Sequence, residues 1–174
     1  MMPGDVARVG ALVFVASIVQ VSILNSMSFL GGTPDLLLVT LVALALLRGA
    51  VFGAVAGFFA GLIVDTATLQ TLGLTSLLLT LAGYWIGRYG ETTGRDRAHA
   101  PLVSVAVVTV LFAAGSLAIR FVLGEPSPAR IVFDALPATV VGNLIFAVPV
   151  YALCERLLRR ARRPEVAGEV RLLG

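Results

Sequence analysis

The sequence predicts an all-α protein, a polytopic membrane bundle of about six transmembrane helices forming one domain over residues 1–174. Three observations predict it. Hydrophobic residues make up 58% of the chain and charged residues only 13%, against about 25% charged in a typical soluble domain. A soluble chain this short has too few polar groups to cover that much apolar surface. The apolar residues fall into six runs, and the 13 basic residues, all arginine, are unevenly divided between the two ends of those runs.

The first span covers residues 9–30. Arg8 precedes it as in a signal peptide, but no A-x-A-like cleavage site follows, so it reads as an uncleaved first helix. The second covers 34–47, with Thr33 as N-cap, Pro34 at the first helical position and Asp35 in the first turn. The third covers 50–64. At 1.5 Å per residue these two give helices of only ~20–23 Å, so they either extend into their flanks or thin the bilayer around them. Merging 35–64 into one span would strand Arg48 mid-bilayer, which is costly. The fourth span, 73–87, ends at Tyr84 and Trp85 just before Arg88, the arrangement of an interfacial aromatic belt. A polar loop over 89–100 leads to the fifth span, 102–123, and the sixth is 131–153. A basic tail, 156–174, continues the last helix and can meet anionic lipid heads.

With six spans and a cytoplasmic N-terminus, eleven arginines lie inside and only Arg120 and Arg130 outside, the sense the positive-inside rule demands. Arg48 then marks the inner end of the second span. The same scatter argues against a nucleic-acid face. The single cysteine, Cys154, offers neither a disulfide nor a ligand pair, and His99 stands in a polar loop. No metal cluster, P-loop or Ser-His-Asp arrangement is present, so the expectation is a protein without cofactor that is not an enzyme.

Two features point to contact. Gly49, Gly53, Gly57 and Gly61 recur every four residues, and Asp65 extends the row. Residues four apart share a helical face, so the glycines form a groove that another backbone can approach. That neighbour is either another helix of this chain, with Gly83 and Gly87 as mates, or a partner protein. The second feature is polar. Ser17, Gln20, Asn25 and Ser28 share an arc of the first span, and Asn143 lies between Pro137 and Pro149 in the sixth. Such groups point into the bundle, to line a cavity or to bond across helices. Asp35 and Asp65 fall at the outer ends of their spans. Asp35 suits a helix start, whereas an acid at a helix end is disfavoured and needs a partner or water.

The run Pro34-Asp35-Leu36-Leu37-Leu38, then Leu47-Arg48-Gly49, the glycine row with Asp65, Leu72-Gly73, and Gly83-Tyr84 through Gly87-Arg88 resembles the bacterial rod shape-determining membrane protein family MreD. Its connector over 66–71 departs from the family pattern, which carries Gly or Pro there. The resemblance implies a non-enzymatic scaffold of the cell-elongation, peptidoglycan-synthesising complex in the plasma membrane. It implies binding to MreC, a single-span protein, and coupling to MreB filaments and peptidoglycan synthases. It also implies a fold similar to the substrate-binding subunits (S-components) of energy-coupling-factor transporters. The alternative function is therefore a small-molecule-binding transporter subunit.

Overall fold

A computed structural model describes residues 3–22, 32–69, 71–93, 99–124 and 129–159. Its regular elements are six helices: α1 (Pro3–Ser22), α2 (Leu36–Arg48), α3 (Ala50–Thr68), α4 (Leu74–Thr93), α5 (Ala100–Val122) and α6 (Ala129–Arg159). Three are long and apolar enough to cross a membrane: Ala50–Thr68, Ala100–Val122 and Ala129–Leu158. The outward surfaces suit lipid, with Phe14, Val55, Phe59, Leu111 and Ile145 all exposed. Such apolar faces are stable where the surrounding solvent is hydrocarbon.

The bundle is organised around its shortest helix. All ten residues from Leu37 to Leu46 in α2 are buried, and α2 packs against each of the other five helices. A helix apolar all round suits either the interior of a bundle or the lipid around it, and here the other helices enclose it. Leu37, Leu41 and Leu44 join one core cluster with Val9 and Val13 of α1, Ala60 of α3, Leu79 of α4 and Cys154 of α6. Leu38, Val42 and Ala45 join a second with Ile86, Val105, Val108 and Ala147. At 13 residues α2 is only ~20 Å long, less than a bilayer core of about 30 Å. Its ends therefore lie within the bundle, and their backbone groups need partners supplied by the protein.

Several boundaries differ from the sequence reading. The Asp35 backbone is non-helical and its carboxylate accepts from the Leu38 N–H, so Asp35 is the N-cap and Thr33 and Pro34 precede the helix. The third helix runs on to Thr68, and the turn is made by Leu69 in the left-handed region and by Gly73 at φ 94°. Helix α4 continues to Thr93, into the first part of the segment expected as a loop. A single residue, Gly49, separates α2 from α3. Its φ of 94° suits glycine, and its N–H closes α2 by donating to the Ala45 carbonyl at 2.8 Å.

Candidate functional site

The polar residues singled out in the sequence meet at the start of α2. The N–H of Leu36 donates to Gln20 Oε1 of α1 at 2.8 Å, and Gln20 Nε2 returns a bond to the Pro34 carbonyl at 3.3 Å. The N–H of Asp35 donates to Asn143 Oδ1 of α6 at 2.6 Å. Asn143 Nδ2 donates in turn to Thr109 Oγ1 of α5 at 2.9 Å, and the Thr109 hydroxyl donates to the Val105 carbonyl. Two outer helices, α1 and α6, thus grip one helix start, and α5 braces the Asn143 side chain that does so. A helix leaves its first N–H groups without intrahelical partners, and in a medium without water each unsatisfied group is expensive. Gln20, Asn143 and the Asp35 carboxylate supply the acceptors.

Asn143 is fully buried, Gln20 is nearly so, and Ser17 is buried with its hydroxyl on the Val13 carbonyl. Asn25 and Ser28 lie outside the described residues. Thr109 is the member the sequence did not announce, since one threonine in a long apolar run carries no spacing signal. Replacing Asn143 by leucine strands the Asp35 N–H and removes the donor to Thr109 Oγ1, whose own bond to the Val105 carbonyl remains. The expected cost is ~2–4 kcal/mol, read as a lower melting temperature of the detergent-purified chain. Thr109→Val should cost about 1 kcal/mol, because the Asp35 bond survives. Equal melting temperatures for wild type and N143L would overturn the junction.

The glycines form a different site. An added Cβ at Gly53 would overlap the Gly83 carbonyl, one at Gly57 the Leu79 carbonyl, and one at Gly61 the Ser76 backbone. A Cβ at Gly87 would sit 2.5 Å from the Ala50 backbone. The row on α3 is therefore covered by α4 in an antiparallel hairpin, which leaves no groove there for a partner protein. Gly49 lies off this row at the turn, where a Cβ would meet the Glu91 carboxylate.

Asp65 finds its partner across the same hairpin. Only 1% exposed, it accepts from the N–H groups of Gly73 at 2.8 Å and of Thr75 and Ser76 at 3.3 Å each. The remaining orphan, the Leu74 N–H, reaches the Thr71 carbonyl. An acid disfavoured at the end of its own helix is favoured at the start of the next, and simple solvation of Asp65 is ruled out by its burial. At the opposite end Glu91 of α4 accepts from the Ala50 N–H at 2.9 Å, capping α3 in return. Glu91 also lies 3.6 Å from the Arg88 guanidinium. The sequence reading missed Glu91, although an acid one hairpin length from Gly49 was the available signal. Arg48 lies in the last turn of α2, next to Gly49, where a cation complements the helix dipole.

Neither site offers a ligand set for a metal: among the described residues no three His, Cys, Asp or Glu side chains group together. The groups at both sites act as fasteners of helix ends. Comparison with curated proteins and with solved structures gave no match, so the expected likeness to energy-coupling-factor subunits rests on the sequence resemblance alone. The family model described as rod shape-determining protein MreD matches residues 7–161, a stretch that includes Gln20, Asp35, Asp65, Asn143 and the whole glycine row. An apolar six-helix bundle with that match belongs to the MreD family of rod shape-determining membrane proteins.

Proposed function

We propose that this chain is a non-enzymatic scaffold of the cell-elongation complex, a multi-pass protein of the bacterial plasma membrane with both termini cytoplasmic. It holds an MreC-like single-span protein and through it helps couple MreB filaments to peptidoglycan synthases. The observation that carries the reading is the family match over residues 7–161. The polar interior supports it, since Gln20, Asn143 and Asp65 are engaged in holding helix ends. With the glycine groove closed by α4, a partner helix has to pack on the outward apolar faces, where close van der Waals fit drives association in lipid.

Affinity purification from native membranes tests the partner. Recovery of an MreC-like single-span protein is the expected result. Recovery of ABC-type ATPases with a transmembrane coupling subunit would replace this reading by the transporter alternative. Orientation is tested separately by cysteine labelling in intact cells, against a background in which Cys154 is buried. Leu72 is 67% exposed and His99 is also exposed. A membrane-impermeant maleimide should label L72C in whole cells, and H99C only after permeabilisation. The reverse pattern would invert the topology.

A further inference from the structure

A cavity of about 350 Å³ opens beside the start of α2, between α5, α6 and the Thr33–Asp35 segment. It falls in the range of small-ligand sites, about 300–1,000 Å³. Its lining is divided. Gln20, Asp35 and Asn143 form a polar floor, while Phe112, Ile131 and Leu136 form apolar walls. Gln20 and Asn143 are at least nine-tenths buried, so the floor is built into the bundle and is not loose surface.

The charge and hydrogen-bond capacity of this lining select a ligand. Among the described residues, no arginine, lysine or histidine lines the cavity, and Asp35 is the one ionisable side chain in the lining. Nothing there neutralises an anion. The hydroxyl protons of Thr109 and Ser116 are already given to the Val105 and Ala113 carbonyls, and Thr109 Oγ1 also accepts from Asn143, so what these two oxygens can still offer is acceptor capacity. The first N–H groups of α2, which would otherwise attract an anion, are taken by Asn143, Gln20 and Asp35. Thr33 and Thr139 add hydroxyls that can donate or accept, so the charge of the lining, one carboxylate with several acceptor oxygens around it, is what selects. An ammonium group carries three donors and no acceptor, which complements that lining.

The geometry points to this cavity as a binding site for a primary ammonium group carried on a small apolar body. The ammonium sits against Asp35 and the amide and hydroxyl oxygens, and the body lies between Phe112 and Leu136. Two sources present this chemistry, a free amine and the headgroup of an aminolipid. The site needs no protein partner, so it stands or falls apart from the scaffold reading.

The test uses the full chain purified in detergent, with thermal unfolding measured against three isosteric probes: cyclohexylamine, cyclohexanol and cyclohexanecarboxylate. Cyclohexylamine should raise the melting temperature saturably, cyclohexanol weakly and the carboxylate not at all. Asp35→Asn keeps a capping oxygen and should weaken the amine at least about tenfold. Ala135→Phe, which fills the cavity from α6, should abolish the effect, and its own melting curve reports whether it has folded. Competition between cyclohexylamine and phosphatidylethanolamine, set against phosphatidylcholine in nanodiscs, would identify the lipid headgroup as the source. Binding of the amine without such competition would identify a free amine. Equal stabilisation by all three probes, an amine effect that survives A135F in the folded variant, or no effect of any probe would overturn the proposal. The last result would mean that the cavity holds water only.

Discussion

Gly57→Leu should abolish accumulation of the folded protein in the membrane. Even a single Cβ at Gly57 would overlap the Leu79 carbonyl and lie 2.6 Å from its carbon. These are backbone atoms of α4 and cannot step aside as a side-chain tip would. Overpacking of a close-packed site costs ~1–3 kcal/mol for modest additions, and a leucine here adds four carbons where none fits. The only relief is separation of α3 from α4. Separation also pulls Asp65 from the start of α4 and Glu91 from the start of α3, so the steric and electrostatic losses fall together. Gly57→Ala should be intermediate. Gly10→Ala, with nothing within 4 Å of the added Cβ, should be neutral or slightly stabilising, because alanine is the better helix former. Membrane protein level and the monodisperse fraction on size-exclusion chromatography read the outcome. A G57L protein with wild-type level and melting temperature would sink the hairpin assignment.

The second large effect is expected at Asp65. Replacement by alanine leaves the N–H groups of Gly73, Thr75 and Ser76 without their acceptor at a buried helix start. Each stranded group costs ~1–3 kcal/mol, and loss of a carboxylate beside the positive end of α4 adds to it. A total loss of about 3 kcal/mol or more follows. By the scaling for chains of this length, that is a fall of roughly 6–12 °C in melting temperature. Asp65→Asn keeps an acceptor oxygen but not the charge, so it should fall between wild type and D65A. Glu91→Gln should cost less than D65A, because Glu91 is 39% exposed and water can replace part of what it gives. If D65A and E91Q were equally destabilised, burial would not be what sets the strength of the two caps.

The fold class was legible because it is a matter of composition and period. Six apolar runs with few charges leave helices in lipid as the stable answer, and the described residues form six helices. Gly53, Gly57 and Gly61, with Gly83 and Gly87, were legible as a packing signal because a four-residue spacing puts residues on one face; Gly49 shares the spacing but falls at the turn. The helix that fills the groove was open, since spacing describes one surface and not its neighbour. The Asp35 cap shows the same limit. Thr33-Pro34-Asp35 marked a helix start, but the choice of Asp35 over Thr33 depended on Gln20 and Asn143, which reach the junction from α1 and α6.

By itself, then, the sequence determined a membrane bundle, its number of helices, a glycine row and a set of interior polar residues. These follow from local period and from the cost of polar groups in hydrocarbon, and both act along the chain. Only the tertiary structure decided that the shortest helix is the central one, that α4 covers the glycines, and that Asp65 and Glu91 cap each other's helices. It alone decided that Gln20 and Asn143, the latter braced by Thr109, meet at one helix start beside a cavity. The physical reason is that an unsatisfied N–H or a missing Cβ states a need, and which residue meets it is set by the packing of helices far apart in sequence.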